Sequence, residues 1–180
     1  ESIVAIEKDL KMINCLKELK AICDKKLILI NDDILNLTLN SLGPFPKSIL
    51  GNLPYNISSK LIVSWLKEIH YNKNIKVDNI TITIQKELAD RLIASKDSKE
   101  YGRISVYTQL LSNVNKLLEL SPSNFHPKPK VFSSVINIKP LKKPRFKVNL
   151  ETFERIVKQA FGNRRKMLRQ SLKNLGGNRL

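Results

Sequence analysis

The sequence predicts an α/β fold: a largely parallel sheet with helices on both faces and an antiparallel hairpin at one edge. Short apolar runs that end in polar residues alternate with longer segments in which apolar residues recur every three or four positions. This alternation is typical of strands and helices in a parallel sheet. Two later strands are joined only by the Pro-rich segment 121–130, which favours an antiparallel hairpin.

The elements follow from these patterns in chain order. The expected strands cover residues 3–6, 27–30, 48–50, 80–84, 114–120 and 131–138. The expected helices cover residues 8–23, a segment from about Ser58, and residues 86–94, 104–112, 150–161 and 163–175. The first helix has one apolar face, formed by Leu10, Ile13, Leu16, Leu19 and Ile22. The segment Pro140–Pro144 is the expected linker between a domain of residues 1–139 and a basic helical segment of residues 145–180.

Composition excludes several classes of protein. No apolar run approaches the roughly 18 residues of a membrane span, and residues 1–6 do not resemble a secretory leader, so we expect no membrane association. Cys15 and Cys23 lie about 12 Å apart on the predicted first helix, too far for a disulfide. With two histidines and no metal-ligand spacing, we expect no metal site, and a reducing, cytoplasm-like compartment.

The net charge of +16 is concentrated near the C-terminus. Residues 1–125 carry 17 Lys or Arg and 14 Asp or Glu, a balance of +3. Residues 126–180 carry 15 basic and 2 acidic residues, a balance of +13. The Ile, Asn and Lys richness also suggests a biased proteome, but bias alone would spread the charge evenly. The asymmetry therefore favours a polyanion as partner, most simply a nucleic acid.

Polar side chains stand at the ends of three predicted strands: Glu7, then Asp32 and Asp33, then Asn52. In open parallel sheets, ligands bind outside the carboxyl ends of the strands. A carboxylate there can accept hydrogen bonds from both ribose hydroxyls, and a carboxylate or amide on the next strand can accept from an adenine amine. Such residues are also common as helix caps and in turns, so each alone leaves both interpretations open.

The tetrapeptide Asn52-Leu53-Pro54-Tyr55 is a far more specific pattern. The lone pair of an adenine N6 is delocalised into the ring, which makes the amine a poor nucleophile. The amide oxygen of Asn52 and the carbonyl of Leu53 can both accept N6 protons and free the lone pair for attack on a sulfonium methyl group. Pro54 fixes the loop backbone, and Tyr55 offers a flat face for an extruded base. The sequence therefore predicts methyl transfer to an amine.

The stretch from Gly51 to Ser58 closely resembles the KsgA family of small-subunit rRNA adenine dimethyltransferases. The likeness extends along nearly the whole chain, through Gln85–Leu92, Tyr101–Val106, Phe125–Val131 with Ser133, and Ala160–Lys166 with Leu168 and Arg169. The order and spacing of these stretches match as well. The resemblance implies a Rossmann-like class I methyltransferase sheet, followed by the start of a small C-terminal helical domain.

The resemblance also implies a cofactor site for S-adenosylmethionine. Glu7, with Lys8 beside it, would bind the ribose of the cofactor. Asp33 would contact the cofactor adenine, and Asp32 is the alternative residue for that role. Asn52 would border the same site.

In the target site, the resemblance assigns Asn52 and Leu53 to the adenine N6, held by Pro54, and Tyr55 to stacking on the target base. Phe125 resembles the aromatic residue that flanks this base from the other side, although an ordinary loop-anchoring role is an alternative. RNA contact is implied for a basic run on the last predicted helix: Arg164, Arg165, Lys166 and Arg169.

The function implied is the transfer of methyl groups from S-adenosylmethionine to N6 of two adjacent adenosines in the 3′-terminal hairpin of small-subunit rRNA, during ribosome biogenesis. We expect a monomeric enzyme that acts on the immature small subunit in the bacterial cytoplasm or an organellar matrix.

Two departures from the family pattern accompany this resemblance. The Gly-rich cofactor loop after the family's first strand is absent from residues 1–180, and the C-terminal helical domain is shorter, so we expect this segment alone to bind S-adenosylmethionine poorly.

The alternative functions are those of an Erm-type enzyme acting on large-subunit rRNA, which usually has Ile at the position of Leu53, and of a non-catalytic ribosome-assembly or nucleic-acid-binding paralogue. A DNA adenine methyltransferase would more often carry a different form of the loop.

Overall fold

The computed structural model describes residues 2–23, 26–43, 48–162, 167–172 and 175. The chain divides into two compact units, residues 1–46 with 74–76, and residues 47–73 with 77–180. Within the described ranges, no helix is long and apolar enough to cross a membrane.

The first unit is a β-α-β arrangement. It contains strand β1 (Ile3–Glu7), helix α1 (Leu10–Cys23) and strand β2 (Leu27–Asn31), followed by short 3₁₀ turns at Ile34–Asn36 and Leu39–Leu42. The two strands are parallel and pair Glu7 with Asn31 at their carboxyl ends. The predicted helix is confirmed, but its apolar face is only partly buried: Ile13 is buried, whereas Leu10 and Ile22 are exposed.

The second unit contains a four-stranded mixed sheet and most of the helices. Its elements are β3 (Ser48–Asn52), α2 (Tyr55–Tyr71), β4 (Asn79–Gln85), α3 (Lys86–Ile93), α4 (Arg103–Leu111), β5 (Ser112–Leu120), β6 (Ser133–Pro140), α5 (Leu150–Gly162) and α6 (Leu168–Ser171). The strand order is β3-β4-β6-β5. Strands β3 and β4 are parallel, and β6 is antiparallel to both of its neighbours. The predicted combination of parallel strands with an antiparallel edge hairpin is confirmed.

The core of this sheet is set by alternation along β4. Ile80, Ile82 and Ile84 are fully buried, and the residues between them are half-buried. Ile136 and Ile138 of β6 pair directly with Ile82 and Ile80 and are buried as well. This alternation turns one face of β4 towards the core. It thereby fixes the position of the carboxyl ends of β3 and β4, where the site lies.

Several predicted boundaries are wrong by one to three residues, and two of these bear on the site. Helix α2 begins at Tyr55 rather than near Ser58, because Pro54 (φ −56°) already has the backbone conformation of a helix entry and lacks an N–H that would need a partner. Strand β6 begins at Ser133 rather than Val131, and it extends through Pro140, which pairs with Ser112 on the edge strand β5. The first residue of the predicted linker therefore belongs to the sheet.

Within the second unit, the C-terminal segment packs through α5. Leu150 and Val157 are buried, and α5 lies against α4. Within the last predicted helix, 163–175, the described residues 168–171 form one helical turn, closed by a bond from the Leu172 N–H to the Leu168 carbonyl. Residues 163–166 and 173–174 lie outside the described part of the chain. The domain boundary between residues 139 and 145 stays a prediction.

Candidate functional site

The Asn52–Tyr55 loop continues directly from the carboxyl end of β3. Leu53 is buried, and its N–H donates to the carbonyl of Thr83 on β4 at 3.1 Å, so the loop backbone is an extension of the sheet. The Asn52 side chain is exposed, and neither its amide nor the Leu53 carbonyl oxygen has a hydrogen-bond partner within the described ranges. The loop thus presents two neighbouring acceptors on a fixed backbone.

Pro54 is the hinge between this loop and α2. Its carbonyl accepts bonds from the Ile57 N–H at 3.2 Å and from the Ser58 hydroxyl at 2.8 Å. Ser58 is fully buried, so its hydroxyl fixes the first turn of α2 from the protein interior. The predicted role of Pro54 in setting the loop conformation agrees with this geometry.

The Tyr55 side chain is held at its hydroxyl end. Tyr55 Oη and Ser133 Oγ are 2.6 Å apart, and Tyr55 is half-buried while Ser133 is buried at the start of β6. Sequence reasoning gave Ser133 no role. Ser133 follows the family-like stretch that ends at Val131 by two residues, and this position was the one sequence feature that could have indicated a role. This bond limits the orientations that the Tyr55 ring can adopt.

The loop that contains Phe125 leaves the same edge of the sheet. Leu120 at the end of β5 and Gln85 at the end of β4 both pair with Ser133, so residues 121–132 begin and end beside the carboxyl end of β4. Phe125 is half-buried, and its N–H donates to the Pro122 carbonyl at 3.3 Å. Its predicted contact with a target base stays a prediction.

In the first unit, Glu7 lies at the carboxyl end of β1, as predicted. Its Oε1 accepts a bond from the Asp9 N–H at 2.8 Å, and Oε2 has no partner among the residues that the structure describes. Asn31, paired with Glu7 across the sheet, donates to the Glu7 and Lys8 carbonyls at 2.9 and 3.2 Å. The chain after β1 is thereby tied to the end of β2.

Lys8, Asp32 and Asp33 lie together at this end of the first unit. Lys8 Nζ is 2.9 Å from Asp33 Oδ2, and the hydrogen bond and charge of Asp33 raise the pKa of Lys8 above its ordinary value. Asp33 Oδ1 accepts from the Leu35 N–H at 2.9 Å and so begins a 3₁₀ turn. Asp32 Oδ1 accepts from the Asp33 N–H and from the Asn36 amide. Both carboxylates are oriented by the fold, and their assignment to the cofactor adenine stays a prediction.

The predicted RNA-binding run is described only in part. Arg164, Arg165 and Lys166 lie outside the described residues. Arg169 lies on α6, where it is exposed and forms no ion pair with any described residue. The same described ranges contain no group of three or more His, Cys, Asp or Glu side chains arranged as metal ligands.

Comparison with known proteins identifies the family. The family model for ribosomal RNA adenine dimethylase matches residues 1–180. A protein of Wolbachia pipientis (strain wPip) named ribosomal RNA small subunit methyltransferase A is 41% identical over 96% of this chain and 64% of its own length. The protein of the same name from Rhodospirillum rubrum is 40% identical over 97% of this chain and 59% of its own. The chain thus spans about three fifths of the length of these relatives.

Solved structures show the same fold. A dimethyladenosine transferase from Plasmodium falciparum superposes with a TM-score of 0.78 at 25% identity, over 96% of this chain and 59% of that one. The 23S rRNA methyltransferase ErmE superposes with a TM-score of 0.68 at 23% identity, over 96% of this chain and 66% of that one. The latter likeness concerns the fold alone, which is Rossmann-like. Both the predicted fold class and the predicted family are confirmed, and the chain belongs to the ribosomal RNA adenine dimethylase family.

Proposed function

We propose that the full-length protein is an S-adenosylmethionine-dependent rRNA adenine N6-dimethyltransferase that acts on small-subunit rRNA. Its targets would be two adjacent adenosines in the 3′-terminal hairpin, each converted to N6,N6-dimethyladenosine. The observation that carries the proposal is the Asn52–Tyr55 loop, where an exposed amide and an adjacent carbonyl without a partner stand at the end of β3. The names of the relatives, ribosomal RNA small subunit methyltransferase A, support the choice of substrate.

The two acceptors activate the target amine. Asn52 Oδ1 and the Leu53 carbonyl would each accept one N6 proton, which draws the nitrogen towards tetrahedral geometry and turns its lone pair out of the ring. Because the Leu53 N–H is bonded to Thr83 and the Leu53 side chain is buried, the backbone that carries the Leu53 carbonyl is held in place. The N6 proton becomes acidic only after the new N–C bond has formed, so water can take it and no strong general base is required.

The first unit supplies residues that fit the nucleoside part of the cofactor. S-adenosylmethionine, when bound, supplies an electrophilic methyl group. Glu7 Oε2 is available for a ribose hydroxyl, because the internal bond from Asp9 uses only Oε1. The oriented carboxylates of Asp32 and Asp33 offer acceptors for an adenine amine. Lys8 Nζ forms an ion pair with Asp33 Oδ2 at 2.9 Å and so holds that carboxylate in place.

Methyl transfer by the full-length protein to immature small subunits tests the proposal, with Asn52→Ala as the diagnostic variant. Loss of one positioned acceptor should lower kcat by roughly 10²- to 10³-fold. The fold should be retained, because the Asn52 side chain is exposed and has no partner in the described part of the chain. Asn14→Ala, which removes an exposed amide from α1, is the matched control and should leave kcat unchanged.

Three outcomes would contradict the proposal. Unchanged transfer by Asn52→Ala would defeat the mechanism. Transfer to large-subunit rRNA instead would identify an Erm-type specificity. RNA binding without any methyl transfer would identify a non-catalytic assembly protein.

A further inference from the structure

We propose that the end of β6 and the segment after it form a second RNA-binding surface, distant from the loop that holds the target base. This basic linker surface consists of Lys139, Lys142, Lys143, Arg145, Phe146 and Lys147. It deepens the proposed function, since its partner would be the same rRNA, held here by its phosphate backbone.

The surface has a high density of uncompensated positive charge. Residues 120–150 contain seven lysine or arginine residues and no aspartate or glutamate. All five cations of the surface are exposed, and none of them forms an ion pair with any described residue. Two lysines on α3 and β5 differ in this respect. Lys86 and Lys116 each form ion pairs with Asp90 and Glu119. The positive charge of these five residues is thus not offset by any described carboxylate.

The linker is anchored, which distinguishes it from a basic tail. The Leu141 N–H donates to the Leu111 carbonyl at 2.8 Å, and the Arg145 N–H donates to the Leu110 carbonyl at 3.0 Å. Lys142 and Lys143 lie between these two anchors, over the end of α4. The Arg145 guanidinium adds a bond to the Gln109 carbonyl at 2.7 Å. An anchored backbone loses less conformational entropy when its cations meet phosphates.

A polar groove lies beside the linker. An open groove of about 650 Å³ runs beside the linker, and its lining is largely polar, with Lys139 and Arg145 together with Gln109 and Asn113. Phe146 is 71% exposed and stands between Arg145 and Lys147. Cations interleaved with an exposed aromatic ring are typical of surfaces that bind phosphates and stack an unpaired base.

The position of the surface separates it from the target site. Pro140 and Ser133 are the two ends of β6, an eight-residue strand that spans roughly 25 Å. Ser133 contacts Tyr55 at one end, and the basic linker surface begins at the other. One RNA molecule that reaches both ends would be held at two places, which favours RNA over a small anion as the partner.

The test compares full-length wild-type protein with the triple variant Lys139→Gln/Lys142→Gln/Lys143→Gln. The probe is a small-subunit rRNA fragment with the 3′-terminal hairpin, and the readouts are Kd as a function of salt and methyl transfer. Loss of three phosphate contacts should weaken binding roughly 10- to 100-fold at moderate salt and reduce the slope of log Kd against log salt by about 2 to 3. The kcat at saturating RNA should stay unchanged. Phe146→Ala should weaken binding at least about fivefold without a change in slope.

The matched control is Lys11→Gln/Lys20→Gln/Lys73→Gln, which removes three exposed lysines elsewhere and should alter neither quantity beyond twofold. Equal affinity and slope for wild type and the linker variant would overturn the proposal, as would wild-type protein that binds no RNA. Lysine-dependent binding to phosphatidylglycerol vesicles in place of RNA would also overturn it. Lysine-dependent RNA binding without methyl transfer would support this surface and contradict the proposed function.

Discussion

The bond between Tyr55 and Ser133 couples the proposed base-stacking ring to the start of β6. Tyr55→Phe and Ser133→Ala should each lower the free energy of unfolding by about 0.5 to 1.5 kcal/mol, since each removes one partner of a part-buried hydrogen bond. Tyr55→Phe keeps the ring and should lower kcat less than tenfold. Urea unfolding of both single variants and the double variant measures the coupling; a coupling energy near zero would show that the bond contributes nothing.

Gly51 allows a close approach within the loop. A Cβ at this position would lie 3.2 Å from Leu53 Cδ2. Leu53 is buried and carries one of the two proposed acceptors, so Gly51→Ala should displace the acceptor rather than unfold the sheet. We expect kcat to fall at least tenfold while the free energy of unfolding falls by about 1 kcal/mol. Gly162→Ala, where a Cβ meets nothing within 4 Å, is the control. Wild-type kcat in Gly51→Ala would show that the loop tolerates the shift.

At the scale of single residues, the sequence predicted those site residues whose position depends on their neighbours in the chain. Asn52 and Glu7 lie at strand ends, as their neighbours in the chain predicted. The Tyr55–Ser133 contact was not predictable, because it joins residues 78 positions apart and depends on how β4 and β6 pair. Hydrophobic periodicity is a local signal and carries no information on such contacts.

Helices α2, α4 and α5 meet around the buried side chain of Tyr107. Its hydroxyl has no hydrogen-bond partner within the described ranges, and Lys67 Nζ lies 5.8 Å from the centre of its ring. Lys67 also pairs with Glu154 of α5 at 2.6 Å. Burial, and then the nearby Glu154 carboxylate, raise the pKa of Tyr107 above its ordinary value of 10.0. The Tyr107 phenol is therefore held in its neutral form where these three helices meet.

Tyr107→Phe removes the unsatisfied hydroxyl and keeps the ring. The free energy of unfolding at pH 7 should rise by about 1 kcal/mol. In the wild type, the folded state holds the phenol proton more tightly than the unfolded state, so stability is full below pH 10 and falls as pH rises beyond it. Urea unfolding at pH 8 and pH 10.5 should show a steeper loss for the wild type. Equal losses would mean that Tyr107 ionises freely in the folded protein.

The elements themselves were largely predictable, whereas the sheet order was not. The alternation in β4 and the apolar spacing of α2 are properties of short windows, and both elements are found where expected. The boundary at Tyr55 was missed because Pro54 begins the helix before the apolar spacing becomes apparent. The insertion of β6 between β4 and β5 is decided by pairing across some fifty residues, which no local pattern encodes.

Across the whole molecule, the proposed roles divide between the two compact units. The first contains Glu7 and Asp33 for the cofactor, and the second contains Asn52 for the target amine. In the full-length protein, Glu7→Gln should raise the KM for S-adenosylmethionine by roughly 10- to 100-fold, because a charge-assisted hydrogen bond to the ribose is lost. The internal bond from Asp9 can be kept by the glutamine oxygen, so the fold is preserved.

Asn52→Ala should show the opposite pattern, with a large loss of kcat and a change in that KM of less than about threefold. Because the two side chains act on different molecules, their effects on kcat/KM should add in the double variant within about 0.5 kcal/mol. Steady-state kinetics with both substrates varied gives all three values. A Glu7→Gln variant that loses kcat at saturating cofactor as strongly as Asn52→Ala would contradict this division. A large rise in KM for Asn52→Ala would place that side chain against the cofactor as well as the target base.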